Sequence, residues 1–112
     1  MKWLEPWVAI VDLDWSPDKK ANFCQAWESQ LRREVGPLHI LFGKPATLIA
    51  RRFDTDDALF QVSERRVAEV HLTWSSGPEP DPTWPNASFY DTLEDWMLES
   101  MNEQHRQWLA QQ

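Results

Sequence analysis

The chain has 112 residues, a formal net charge of −7, 42% hydrophobic side chains, eight tryptophans and one cysteine. This is enough apolar material for one folded domain, residues 1–112, with a modest core. It offers no apolar run near the ~20 residues a membrane span needs, and the lone Cys24 excludes an internal disulfide and fits a reducing cytoplasm. Residues 57–112 carry the whole charge, with ten acidic and three basic side chains against eight of each in residues 1–56. That disfavours nucleic acid as a ligand, because such affinity rests on clustered Lys and Arg.

The opening, MKWLEPWVAIVDLDW, is a poor secretory signal: its apolar stretch is short, bears carboxylates and lacks a small-residue cleavage site. Residues 7–13 (WVAIVDL) read as a buried strand, β-branched and bounded by Pro6 and Asp14. Ser16-Pro17-Asp18 starts a helix, with a capping hydroxyl, a proline suited to the first turn and a carboxylate at the positive end of the dipole. Phe23, Trp27, Leu31 and Val35, with Cys24 beside them, give it an apolar stripe, and Gly36-Pro37 ends it.

Residues 38–42 (LHILF) read as a short strand broken by Gly43-Lys44-Pro45. Three alternating runs follow at 47–53, 58–63 and 67–74, joined by links short enough for hairpins, so an antiparallel meander is expected. In the last run Ala68, Val70, Leu72 and Trp74 form the expected core face, and Val67, Glu69, His71 and Thr73 the other. After a proline-rich loop, Asp91 with Glu94 resembles a capping box opening a second helix. Its apolar face is Leu93, Trp96, Met97, Met101, Gln104, Trp108 and Leu109. The expected fold is α+β: an antiparallel sheet of about four strands with two helices packed on one face.

Chemistry-bearing patterns are sparse. His39, His71 and His105 are 32 and 34 residues apart, and one cysteine cannot build a structural zinc site. Asp54-Thr55-Asp56-Asp57 lacks the later glycine and glutamate of a calcium loop and reads as a hairpin turn. Cys24 lies on an apolar stripe rather than in an electropositive cleft, and no nucleophile elbow or phosphate-cradling glycine loop is present. Asp12 and Asp14 make a carboxylate pair at a strand end, a pattern that a strand leaving the core also produces. Asn86-Ala87-Ser88 matches a glycosylation triplet that has no meaning without secretion. No catalytic residue, cofactor or metal is expected.

The stretch from Gly77 to Pro85 holds four prolines, Glu79, Asp81 and Trp84. Proline fixes φ and removes backbone donors, so this loop should be extended and low in entropy. Trp74 and Trp84 are placed to clamp it to the domain, and a clamped loop makes a preorganised contact surface. Glu79, Asp81 and Trp84, continued by Glu94, Asp95 and Glu99 on the second helix, are the candidate partner-binding residues. Such an acidic face would attract a basic partner, though the same charge also serves solubility.

The set His71-Leu72-Thr73-Trp74, Ser75, Glu79, Trp84-Pro85, Phe89, Trp96, Met101 and His105 resembles small uncharacterised bacterial proteins, some of them similar to toxin-immunity proteins. The resemblance covers about the last 40 residues. It implies a small, acidic, cytoplasmic binding protein that occludes a toxin, and it defines no functional residues. The expected function is therefore non-enzymatic binding of a basic protein partner, an immunity or inhibitor role. The alternative from a different class is a small-molecule-binding or enzymatic domain with a tryptophan-lined pocket between sheet and helices.

Overall fold

Five short strands pair in simple chain order, β1-β2-β3-β4-β5, all antiparallel. They are β1 (Trp7–Ala9), β2 (Thr47–Arg52), β3 (Asp57–Gln61), β4 (Val67–His71) and β5 (Asn86–Tyr90). The computed structural model describes residues 2–112. Helix α1 (Pro17–Glu34) lies between β1 and β2, capped as expected by the Ser16 hydroxyl, which accepts from Lys19 N at 3.2 Å. Helix α2 (93–110) follows β5. It begins with Leu93–Trp96, passes through a π-helical turn at Met97–Met101 and ends as Asn102–Ala110. Its cap is Thr92, accepting from Asp95 N at 3.1 Å, one residue beyond the expected Asp91.

The α+β class and antiparallel sheet match the expectation, with one strand more. The helices, however, do not share a face. Trp27, Leu31 and Val35 of α1 pack on Leu48, Ala58, Phe60, Ala68, Val70 and Leu72. Trp96, Met97 and Met101 of α2 pack on Trp7, Ala50, Leu59 and Val67, which point the opposite way. Alternation along each strand thus supplies two cores, one per face. In β3, Ala58, Leu59 and Phe60 are all fully buried because both faces are covered.

The second core holds a polar thread. Glu69, on the β4 face read as solvent-facing, accepts from Trp96 Nε1 at 2.7 Å, Ser100 Oγ at 2.6 Å and Gln104 Nε2 at 3.1 Å. Gln104 Oε1 in turn accepts from Trp7 Nε1 at 3.1 Å and Arg52 Nη1 at 2.9 Å. Residues four apart drift about 40° around an α-helix. The wider π turn removes that drift, so Trp96, Ser100 and Gln104 all reach one carboxylate.

Three local expectations are corrected. The strand expected over 7–13 stops at Ala9, and Ile10–Asp12 is a 3-10 turn that swings Ile10 into the α1 core. Residues 38–42 form no strand: His39 N donates to Gly36 O and Phe42 N to His39 O, both at 3.0 Å, closing successive turns. Trp74 is not core, being 45% exposed with φ +59°, whereas Trp27, Leu31, Leu72, Trp96 and Met97 are buried. No described helix is long and apolar enough to cross a membrane.

Candidate functional site

Glu34 closes α1, where a carboxylate faces the negative end of the helix dipole and is unfavourable unless held. It is held, with 0% exposure. Oε1 accepts from Thr73 N at 2.8 Å, and Oε2 from Trp74 N at 2.8 Å and Gln30 Nε2 at 2.9 Å. Its backbone carbonyl takes Glu79 N at 2.9 Å, and Gln30 Nε2 also reaches Ser75 O at 2.9 Å. The end of β4 is thereby turned away from the sheet, with Trp74 in the left-handed region that a bulky residue adopts only under constraint. The Trp74 ring crosses Trp27 edge-on at 5.1 Å.

His39 is the second pin. Its Nδ1 accepts from Leu41 N at 2.9 Å, which leaves Nε2 as the protonated nitrogen donating to Pro85 O at 2.8 Å. Residues 36–46 and 75–85 are therefore fastened to each other and to α1 by two buried side chains. Residues 75–85 join β4 to β5 at the end of the sheet where His71 pairs Asn86, and residues 36–46 run from the end of α1 to Thr47, which pairs Gln61 at the start of β2. His39 and Leu41 are buried, whereas the alternate residues Leu38, Ile40 and Phe42 are 84%, 59% and 53% exposed, and Trp84 on the other loop is 44% exposed. The expected tryptophan clamp is absent at Trp84: carboxylate, imidazole and the buried Pro85 fasten the loop instead.

The six candidate contact residues divide into two groups. Glu79, Asp81 and Trp84 lie together on the pinned loop. Glu79 Oε1 accepts from Thr73 Oγ1 at 2.6 Å. Asp81 accepts from Thr83 N at 2.9 Å and Thr83 Oγ1 at 2.8 Å, which holds its carboxyl below the ordinary 3.8, the backbone bond being the larger cause. Glu94, Asp95 and Glu99 are exposed on the first turns of α2, beyond the opposite end of β4 and β5 and on the other side of the sheet. Glu94 lines a depression with Gln61, Glu64 and Arg65 of the β3–β4 link. None of these three takes part in an ion pair among the described residues.

Leu38, Ile40 and Phe42 escape the sequence reading because a short apolar run such as LHILF reads as a strand. Gly36-Pro37 and Gly43-Lys44-Pro45 crowding both ends of a five-residue run were the signal for paired turns. Glu34 also carried a signal, as an acid in the last turn of a well-capped helix.

Burial, with the Glu28 carboxylate adding to it, pushes the Cys24 thiol up, away from the reactive thiolate. Asp12 and Asp14 are exposed on and after the 3-10 turn, and no cluster of three metal-ligating side chains occurs among the described residues. A depression of about 530 Å³ lies between α1 and residues 41–46 and is lined by no tryptophan. No family model matches the chain, and no curated protein or solved structure is significantly similar to it.

Proposed function

We propose that this chain is a non-enzymatic protein-binding domain, an inhibitor or immunity-type protein that meets a basic partner such as a toxin through residues 36–46 and 75–85. The observation that carries the reading is the pair of buried pins. Glu34 and His39 spend their hydrogen bonds on backbone and neighbouring amide groups, and the result is Leu38, Ile40 and Trp84 held in solvent beside Glu79 and Asp81. Apolar side chains fixed in place lose little entropy on binding, and an aromatic anchor with an anionic rim suits a cationic partner surface. Thr83, through its backbone N–H first and its hydroxyl second, lowers the Asp81 carboxyl and so favours the ionised form at that rim.

The partner is to be captured from the host and its kinetics measured against substituted chains. Leu38→Ser, Ile40→Ser and Trp84→Ala should speed dissociation, with about 2 kcal/mol lost at a hot spot. Glu79→Lys with Asp81→Lys should slow association and flatten its salt dependence. Reversal at Glu94, Asp95 and Glu99 tests whether the α2 surface also takes part. Unchanged dissociation in all three apolar variants would refute the reading.

A further inference from the structure

The depression between α1 and residues 41–46 has features the protein-binding reading does not use. Its volume of about 530 Å³ falls inside the ~300–1,000 Å³ range of ligand pockets. Its floor is the outer surface of the α1 core, Leu31, Val35 and Leu41, and Phe42 forms a wall. The wall is built rather than slack. Leu41 N is held by His39 Nδ1 at 2.9 Å, Lys44 N donates to Leu41 O at 3.1 Å, and Gly43 turns the chain at φ +73°.

The pocket's polarity is one-sided. Its only ionisable lining residues are Arg32 and Lys44, both cations, in a chain of net charge −7. Neither is in an ion pair among the described residues. The Arg32 guanidinium reaches only the Ser29 hydroxyl, at 3.2 Å, and the Lys44 ammonium stands 5.8 Å from the Phe89 ring. Glu28, one turn before Arg32, is engaged with Leu48 N at 2.8 Å and is not its partner. An apolar floor with two cationic side chains in its lining, neither of them ion-paired among the described residues, is complementary to a molecule with a hydrocarbon body and one negative end.

We infer that this pocket binds a small amphipathic carboxylate, its hydrocarbon body on Leu31, Val35, Leu41 and Phe42 and its carboxylate between Arg32 and Lys44. The pocket shares the 36–46 segment with the protein-binding reading, but Leu38, Ile40 and Trp84, the side chains that reading rests on, are not among its lining residues.

Calorimetric titration of the full chain with decanoate, decanol and decyltrimethylammonium, each below its aggregation concentration, tests it. Decanoate should bind saturably at one site per chain. Decanol should bind at least tenfold more weakly, and the cation not at all. Arg32→Glu with Lys44→Glu should weaken decanoate at least tenfold and leave decanol unchanged. Both residues are exposed, and if the pair melts early, Lys44→Glu alone carries the comparison. Absent saturable binding of decanoate, equal binding of decanol or of the cation, or unchanged affinity in the variants would each overturn the inference. So would binding of a peptide ending in a free phenylalanine carboxylate where decanoate fails, which would place the pocket in a protein interface.

Discussion

Glu34 shows how one side chain can decide the position of two loops. Its two oxygens each face one backbone N–H, from Thr73 and Trp74, so an amide in its place would set an NH₂ group against one of them. Glu34→Gln should therefore cost about 2 kcal/mol and Glu34→Ala about 3 kcal/mol or more, because buried donors lose their acceptor. Denaturant midpoints measure both, and a glutamine variant as stable as the parent would contradict the assignment. Asp81 is the exposed counterpart. Its folded-state value is lowered, so the ionised carboxylate favours the folded loop above the unfolded value, and this is lost as pH falls through the folded one. The carboxyl carbon of Asp81, followed by NMR, should titrate below 3.8. Thr83→Val should move it only part of the way back, since the backbone donor, the larger cause, remains. The sequence displayed Asp81 and its prolines openly. It hid Glu34 and His39, because nothing local distinguishes a buried polar residue from a solvated one when its partners lie up to 46 residues away.

Among the elements, α1 was legible to its cap because every signal for it is local. β5 was not: Asn86–Tyr90 is short and half-covered, and its pairing with β4 is decided across a loop. The π turn of α2 was hidden for another reason. Spacing by four, as in Trp96, Ser100 and Gln104, also occurs in α1 at Phe23, Trp27, Leu31 and Val35, where the helix is regular. A π turn amounts to one extra residue in an α-helix. Deleting Leu98, which is 71% exposed within it, leaves those three residues three and seven apart, still one face of an ordinary helix. The deletion should hold helicity by circular dichroism and change stability by no more than about 1 kcal/mol. A deletion at Glu103 turns the rest of the helix by about 100° and should be far worse. If the two behave alike, the π turn is more than an accommodated insertion.

At the scale of the whole molecule the expected one-sided sheet gave way to a sheet covered twice. The reading of β4 went astray at Glu69, whose polarity marked that face as solvent, whereas the carboxylate sits beneath α2 as the acceptor for three of its side chains. Two cores separated by a sheet should respond independently. Val35→Ala on the α1 side and Met97→Ala on the α2 side should each cost about 2–3 kcal/mol. Their effects should add to within ~0.5 kcal/mol in the double variant. Strong coupling in chemical denaturation would mean that the sheet transmits strain between the layers.

The doubly covered middle strand also decides where this protein can change over generations. β3 has no outward face through Ala58, Leu59 and Phe60, so almost any replacement there disturbs one core or the other. The tip formed by residues 36–46 and 75–85 is under the opposite regime. Its attachment depends on Glu34, His39 and Pro85, while Leu38, Ile40, Pro80 and Trp84 stand outside the packing. Those outer residues are free to be exchanged without loosening the anchor, so the chemistry this tip presents to solvent can drift while the scaffold stays as it is.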